Sequence, residues 1–257
     1  MSDYLLVHRE GGVLTLTFNR VDKKNALLGE MYTAMAEALE QAVGDDSIRV
    51  AVFQGAVEAF TAGNDLFDFL SNPPDAAKGR DVPVFRFLEA LCVFPKPVIA
   101  AVCGPAVGVG TTMLLHCDLI YAGDNAAFSL PFVNLGVCPE AGSSLLLQNL
   151  VGYPRAAEKL MLGEPFYAEE ALEMGLINRI LPPHEVNGYA QAQAAKLAAK
   201  PVASLRITKA LMKKQQPYLA DVMMEEAKHF SDLIRGPAAK EAMSAVMEKR
   251  RPDFSKC

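Results

Sequence analysis

Apolar residues recur along this chain with two different periods, and the period switches from one segment to the next. "YLLVHR" (4–9) and "GGVLTLTF" (11–18) alternate on either side of a Gly-Gly turn signal, which predicts a β-hairpin. In "EMYTAMAEALEQAVG" (30–44), Met31, Met35, Ala38, Leu39 and Ala42 fall at helical spacing and Gly44 supplies a stop. "IRVAVFQG" (48–55) is a short β-branched run that suits a buried strand. The rhythm then recurs. "VFRFLEALCVF" (84–94) predicts a helix, "PVIAAVCG" (97–104) a strand and "GTTMLLH" (110–116) a helix start. "DLIYAGDNAAFSL" (118–130) reads as two short strands and "SSLLLQNLV" (143–151) as a helix. Short strands alternating with helices predict an α/β fold on buried, mainly parallel strands, with a strand–strand–helix unit repeated. From about Pro201 strand signals vanish, and 202–214, 221–234 and 238–250 are amphipathic helices. The chain therefore divides into a core over 1–200 and a helical region over 201–257, whose Met- and Ala-rich stripes are packing surface.

Composition narrows the function. The 257 residues are 51% hydrophobic and 21% charged, the balance of an ordinary soluble globular protein. A net charge of −5 supplies no basic field for nucleic acid, so an anionic ligand would need a local cationic cluster. Five cysteines show neither C-x-x-C nor zinc spacing, which fits reduced thiols in a cytosol-like compartment and no bound metal. The opening "MSDYLLVHREGG" lacks a signal-peptide core, and the apolar stretch 97–115 is broken by Gly104, Pro105, Gly108 and Gly110, so it reads as strand, turn and helix instead of a membrane span. A cytoplasmic location follows. The final "SKC" differs by one residue from a peroxisomal address, and a peroxisomal location is the alternative.

Three stretches could carry chemistry. "AFTAGNDLFDF" (59–69) follows a strand and opens a short helix, so it is either a ligand-facing loop of backbone amides or a turn with an Asx-type cap. "AVCGPAVGVGTTMLL" (101–115) sets Gly104, Gly108 and Gly110 between strand and helix. It is neither a Walker loop nor G-x-G-x-x-G; it serves close approach of amides to an anion or tight helix–sheet packing. "GVCPEAGSS" (136–144) places Glu140 among small and apolar residues, as a solvated first-turn helix acid or as a pocket acid or base. Other candidates fail. "HCD" (116–118) would put adjacent strand residues on opposite faces, "AGSSL" lacks the nucleophile elbow, and "EKRR" (248–251) is a short basic run that is either a solvated face or a contact for an anionic ligand.

Taken in order, these stretches resemble the crotonase, or enoyl-CoA hydratase/isomerase, superfamily over nearly the whole chain. "FNRVDKKNAL" (18–27), "FTAGNDL" (60–66), "KPVIAAVCGPAVGVG" (96–110), "CDLIYAGDNAAFSLP" (117–131), "ALEMGLINRIL" (171–181) and "KEAMSAVMEKRRPDF" (240–254) carry the likeness. The resemblance implies a spiral of ββα units, a C-terminal helical region that forms a homotrimer or a hexamer of two trimers, and an acyl-CoA thioester as substrate. Coenzyme A would arrive as part of that substrate, with no separate cofactor and no membrane or nucleic-acid partner. By motif matching, the backbone N–H groups of Asn64 and Val109 would form an oxyanion hole for the thioester carbonyl. Ala62, Gly63, Asp65, Leu66, Lys24, Gly108 and Phe132 would border the ligand, Lys23 and Lys24 near the CoA phosphates. Parts of 70–92 would line the acyl pocket.

One departure shapes the reading. Two positions where hydratases of this family carry glutamates hold Thr112 and Phe132. The chain resembles most the peroxisomal-type Δ3,Δ2-enoyl-CoA isomerase subgroup, which also lacks both acids and shares "GND", "GPAVG" and "PE-[AG]-x-SS". That subgroup's single base falls on Glu140. The resemblance thus implies one-base isomerisation of a 3-enoyl-CoA, with hydration, dienoyl isomerisation, dehalogenase-like chemistry or a non-catalytic binding module as alternatives. Burial would raise the Glu140 pKa and a helix N-terminus would lower it.

Overall fold

The computed structural model describes residues 2–214, 216 and 218–257. The hairpin forms as expected from β1 (Leu5–Glu10) and β2 (Val13–Phe18), paired antiparallel. Helix α1 (Gly29–Gly44) leads to β3 (Val50–Gln54). Helices α2 (Leu66–Ser71) and α3 (Pro83–Cys92) precede β4 (Val98–Val102). Then come β5 (Pro105–Val107), α4 (Val109–Thr112), β6 (Leu119–Gly123) and β7 (Ala127–Ser129). Helices α5 (Ser143–Val151) and α6 (Tyr153–Leu162), strand β8 (Phe166–Tyr167), helix α7 (Ala168–Glu173) and strand β9 (Arg179–Leu181) close the strand-bearing part. Four helices complete the chain: α8 (Pro183–Ala198), α9 (Val202–Lys213), α10 (Leu219–Leu233) and α11 (Pro237–Met247).

The main sheet runs β1-β2-β3-β4-β6-β9, and every pair after the hairpin is parallel. The central strands β3 and β4 read as apolar runs because both of their faces are covered. Alternate residues leave opposite faces of a strand. Leu14, Leu16, Ala51, Phe53, Val98 and Ala100 enter the core shared with α1 and α3. Val13, Val50, Val52, Ile99, Ala101 and Tyr121 enter a second core against Val186, Ala190 and Ala194 of α8. A smaller sheet, β5-β7-β8, stands apart and is extended by the bridges Thr61–Ala106 and Leu27–Asn64. Each turn of the spiral thus sends one strand to the large sheet and one short segment inward. Stretch 97–115 differs from its expectation here: between the turn and the helix it contains β5, three residues long, too short for a periodic signal.

The C-terminal helices are all helical, as their periodicity predicts. Phe230, Ile234, Ala239 and Met243 join the main core. Lys209 of α9 buries its ammonium, which donates to the Lys96 carbonyl at 2.8 Å and the Asp118 carboxylate at 2.7 Å. That same Asp118 oxygen accepts the Val98 N–H at the start of β4. Removing one partner of such a pair strands the other. Lys209→Met is expected to cost roughly 3 kcal/mol, read as a lower denaturant midpoint at unchanged slope. Among the described residues no helix is long and apolar enough to cross a membrane.

Candidate active site

Two loops are laced together at the open ends of β3 and β4. Thr61 N–H donates to Pro105 O at 3.0 Å, and Val107 N–H returns a bond to Thr61 O at 3.0 Å. Gly63 has φ +84°, and a Cβ there would stand 2.7 Å from Val107 O, so only glycine lets the loops approach this closely. Gly110 serves the same contact from the other side, since its Cβ would stand 2.5 Å from Thr61 Cγ2. Gly108, at φ +55° and ψ −117°, turns the chain into α4.

The lacing decides which amides stay available. Ala62 N–H donates to Lys24 O, Gly63 N–H to Thr61 Oγ1 and Asp65 N–H to Leu27 O. Among the described residues the Asn64 and Val109 N–H groups donate to no acceptor. The two segments that carry them are neighbours through the Gly63–Val107 contact. The Asn64 side chain is held separately: its Oδ1 accepts from the Tyr32 hydroxyl at 2.5 Å.

Asp65 does different work from a ligand-facing side chain. Its carboxylate caps α2, accepting from Phe67 and Asp68 N–H, and pairs with Arg20 at 2.7 Å. The Arg20 bond and these amides hold it below the usual carboxylate range, against the opposing effect of burial. The Asx-cap reading therefore holds for its side chain, while the neighbouring amide of Asn64 remains open. Leu66 begins α2. Lys24 is exposed at φ +50° and touches Ala62 only through its carbonyl.

Glu140 corrects its local reading. Helix α5 starts at Ser143 with Gly142 as N-cap, so Glu140 precedes the helix and is no first-turn acid. Ala141 at φ +60° and Gly142 at φ +70° make a left-handed turn that points the chain away from the helix axis. The amides at the head of α5 are taken by Glu226 of α10, whose carboxylate accepts from Gly142 N–H at 2.6 Å and Ser144 N–H at 3.0 Å. The head of α5 thus serves the Glu226 carboxylate and not that of Glu140. Its carboxyl lies deep in protein while part of the residue stays open, and burial pushes it up to about 8. A hydrogen bond from the Thr112 hydroxyl to Oε1 pulls the other way, and the negative charge of Glu226 adds to the rise. Thr112 thus gives the acid a donor in place of a second carboxylate. Tyr32, wholly enclosed, is raised well above the usual phenol range by burial and then by the negative charge of Glu140.

Phe132 is buried at 5% exposure within the main core. A cleft of about 250 Å³ opens beside Tyr32 and Asn64, and Asn72, Pro74, Val82 and Val84 from the 70–92 stretch line it. "HCD" fails for another reason than strand alternation. His116 ends a 3-10 turn and bonds to Ala141 O at 2.7 Å, while Cys117 Sγ bonds back to Met113 O. Burial lowers the His116 pKa to about 4, so its neutral ring steadies the turn that carries Glu140. In "EKRR", Arg250 is spent on Glu241 and Glu248. Thr112, Tyr32, His116 and Glu226 were not singled out as site residues by motif, because each acts through a partner distant in sequence.

Two open amides beside one enclosed carboxylate, on a ββα spiral, define a protein of the crotonase fold. The chain belongs to the enoyl-CoA hydratase/isomerase family, whose model matches residues 8–256. It is 34% identical over 260 residues to the 1,2-epoxyphenylacetyl-CoA isomerase of Escherichia coli K12, covering 99% of each chain. It is 37% identical over 225 residues to the enoyl-CoA delta isomerase 2 of Rattus norvegicus, covering 86% of this chain and 57% of that longer one. The E. coli 2,3-dehydroadipyl-CoA hydratase is 35% identical over 97% of this chain and 98% of its own. The structure of Pseudomonas aeruginosa OdaA superposes with a TM-score of 0.92 at 48% identity, covering 96% of this chain and 99% of that one.

Proposed function

We propose that this crotonase-family acyl-CoA enzyme is a Δ3,Δ2-enoyl-CoA isomerase that works with one base, Glu140. The observation that carries the reading is the enclosed Glu140 carboxyl at about 8, with Thr112 where hydratases of the family carry an acid. The thioester carbonyl of a 3-enoyl-CoA accepts from the Asn64 and Val109 amides. Glu140 takes a proton from C2, electrons move into the carbonyl, and the negative charge grows on the oxygen that the two amides face. Fixed amides stabilise such a charge without reorganising. The dienolate then collapses with protonation at C4 by the same carboxyl, and the double bond moves into conjugation. The thioester and the solvent gain no atoms, and Glu140 ends as it began.

A base whose conjugate acid has a pKa near neutrality suits this exchange, since it must both take and return the proton. Thr112 holds Oε1, which leaves Oε2 to carry the proton between C2 and C4. Ala62 and Lys24 border the CoA portion. The 70–92 cleft receives the acyl chain, and Phe132 packs behind the site. Exposed Ile207, Leu211, Met224 and Val246 on the C-terminal helices support assembly into a trimer or a pair of trimers.

The test is a panel of 3-enoyl-, 2-enoyl- and dienoyl-CoA thioesters. With 3-hexenoyl-CoA the expected result is growth of the conjugated 2-enoyl product, and little hydration of 2-hexenoyl-CoA. Faster hydration than isomerisation would replace this reading with that of a hydratase.

A further inference from the structure

We propose that Glu226 is a positioning residue for Glu140: its carboxylate, reaching from α10, fastens the turn that presents the base. The inference rests on the reading of Glu140 as the base. Glu226 lies in no motif, and only 8% of it is exposed. Its two oxygens are occupied by three donors: Gly142 N–H at 2.6 Å on Oε2, and Ser144 N–H at 3.0 Å and Ser144 Oγ–H at 2.5 Å on Oε1. Burial raises the Glu226 pKa above the ordinary carboxylate value, and these three donors pull it back toward the anion.

The turn needs such a fastening. Ala141, a non-glycine residue, sits at φ +60° directly after Glu140, and Gly142 follows at φ +70°. A left-handed residue with a Cβ persists only when its surroundings impose it. His116 grips this turn at Ala141 O from one side, and Glu226 grips it at Gly142 and Ser144 from the other. The Cys138 thiol, on the approach to Glu140, bonds to Glu226 O and ties the two segments again. Because Glu226 belongs to α10, the geometry of the base depends on docking of the C-terminal helices.

Two carboxylates close together disfavour each other's ionisation. Tyr32 from α1, Cys138 on the same segment and Glu226 from α10 lie within electrostatic reach of Glu140, and neutral His116, from the turn after α4, bonds to the next residue, Ala141. Glu226 in turn faces Glu225 and Cys138. The negative charge of Glu226 adds to the rise that burial gives the Glu140 pKa.

The experiment is an infrared titration of the Glu140 carboxyl, taken as the difference from Glu140→Gln in each background, alongside pH profiles of kcat and KM with 3-hexenoyl-CoA. In Glu226→Gln the Glu140 midpoint is expected to fall by about 0.5 pH unit or more, and kcat to fall about tenfold with KM little changed. An unmoved or raised midpoint in the folded variant overturns the proposal. Where Glu226→Gln does not fold, Ser144→Ala decides, since it takes one donor from Glu226 and keeps both backbone bonds. Its kcat is expected to fall severalfold with KM little changed, and an unchanged kcat overturns the proposal. The infrared signal does not depend on turnover. A shifted midpoint in a protein that leaves 3-enoyl-CoA untouched would support the coupling and remove only the isomerase reading.

Discussion

Glu140→Gln is expected to lower kcat by about 10²–10⁴-fold, the contribution of a general base, while making the folded protein more stable at alkaline pH. The two effects share one cause. Glutamine keeps the shape and can still accept from Thr112 through Oε1, so the pocket is preserved while the base is lost. The ordinary carboxyl value is 4.5, and burial raises it to about 8 in the folded state. The folded protein therefore holds this proton more tightly than the unfolded chain does. Its stability falls as pH climbs from about 4.5 to about 8, then stays at the lower level. Each unit of such a shift is worth 1.36 kcal/mol. With a discount for the part of the residue left open, Glu140→Gln gains roughly 2–4 kcal/mol at pH 9 and almost nothing at pH 4. Denaturant unfolding at the two pH values checks the gain. The same carboxyl governs activity: kcat/KM is expected to rise with pH and level off above about 8, as Glu140 becomes the free base.

Gly63→Ala carries the second large effect. The residue stands at φ +84°, and its new Cβ would lie 2.7 Å from Val107 O. Backbone cannot yield as the end of a flexible side chain can, so the two loops must part. Parting them moves the Asn64 amide away from the Val109 amide, and the proposed hole for the thioester oxygen would lose a donor. One such donor is worth about 10²–10³ in kcat. We expect a loss of that size in kcat with a smaller change in KM. Gly11→Ala is the comparison, since it also replaces a glycine of positive φ (+56°) but meets nothing within 4 Å. It is expected to cost stability alone. Loss of activity in both, in proportion to stability, would mean that the loop contact has no special role.

How much of this was legible in the chain depends on the range over which each residue acts. The apolar runs of β3 and β4 were legible because both faces of those strands are buried, so every position but the closing Gln54 is apolar. Strands β5 and β8, three and two residues long, have no period to display. The Asn64 and Val109 amides were reached through family motifs, since loop amides leave little trace in composition. Glu140 was visible as an acid in an apolar setting, yet its local sequence suggested a helix cap. That role belongs to Glu226, 84 residues from the Gly142 amide it accepts from. Thr112 was read as a missing acid and turns out to be the donor on Glu140, 28 residues away. Such pairings are made by the spiral, which brings α4, the 136–144 segment and α10 to one place.

The most direct test follows a single proton. A 3-hexenoyl-CoA labelled with deuterium at C2 is given to the enzyme in ordinary water, and the earliest conjugated product is read by mass spectrometry and NMR. One base in an enclosed pocket carries the proton it removed to C4, so a measurable share of the deuterium is expected there, and no product is expected from Glu140→Gln. Loss of the label to water from the first turnovers, a 3-hydroxyacyl product, or undiminished turnover by Glu140→Gln would contradict the single-base account.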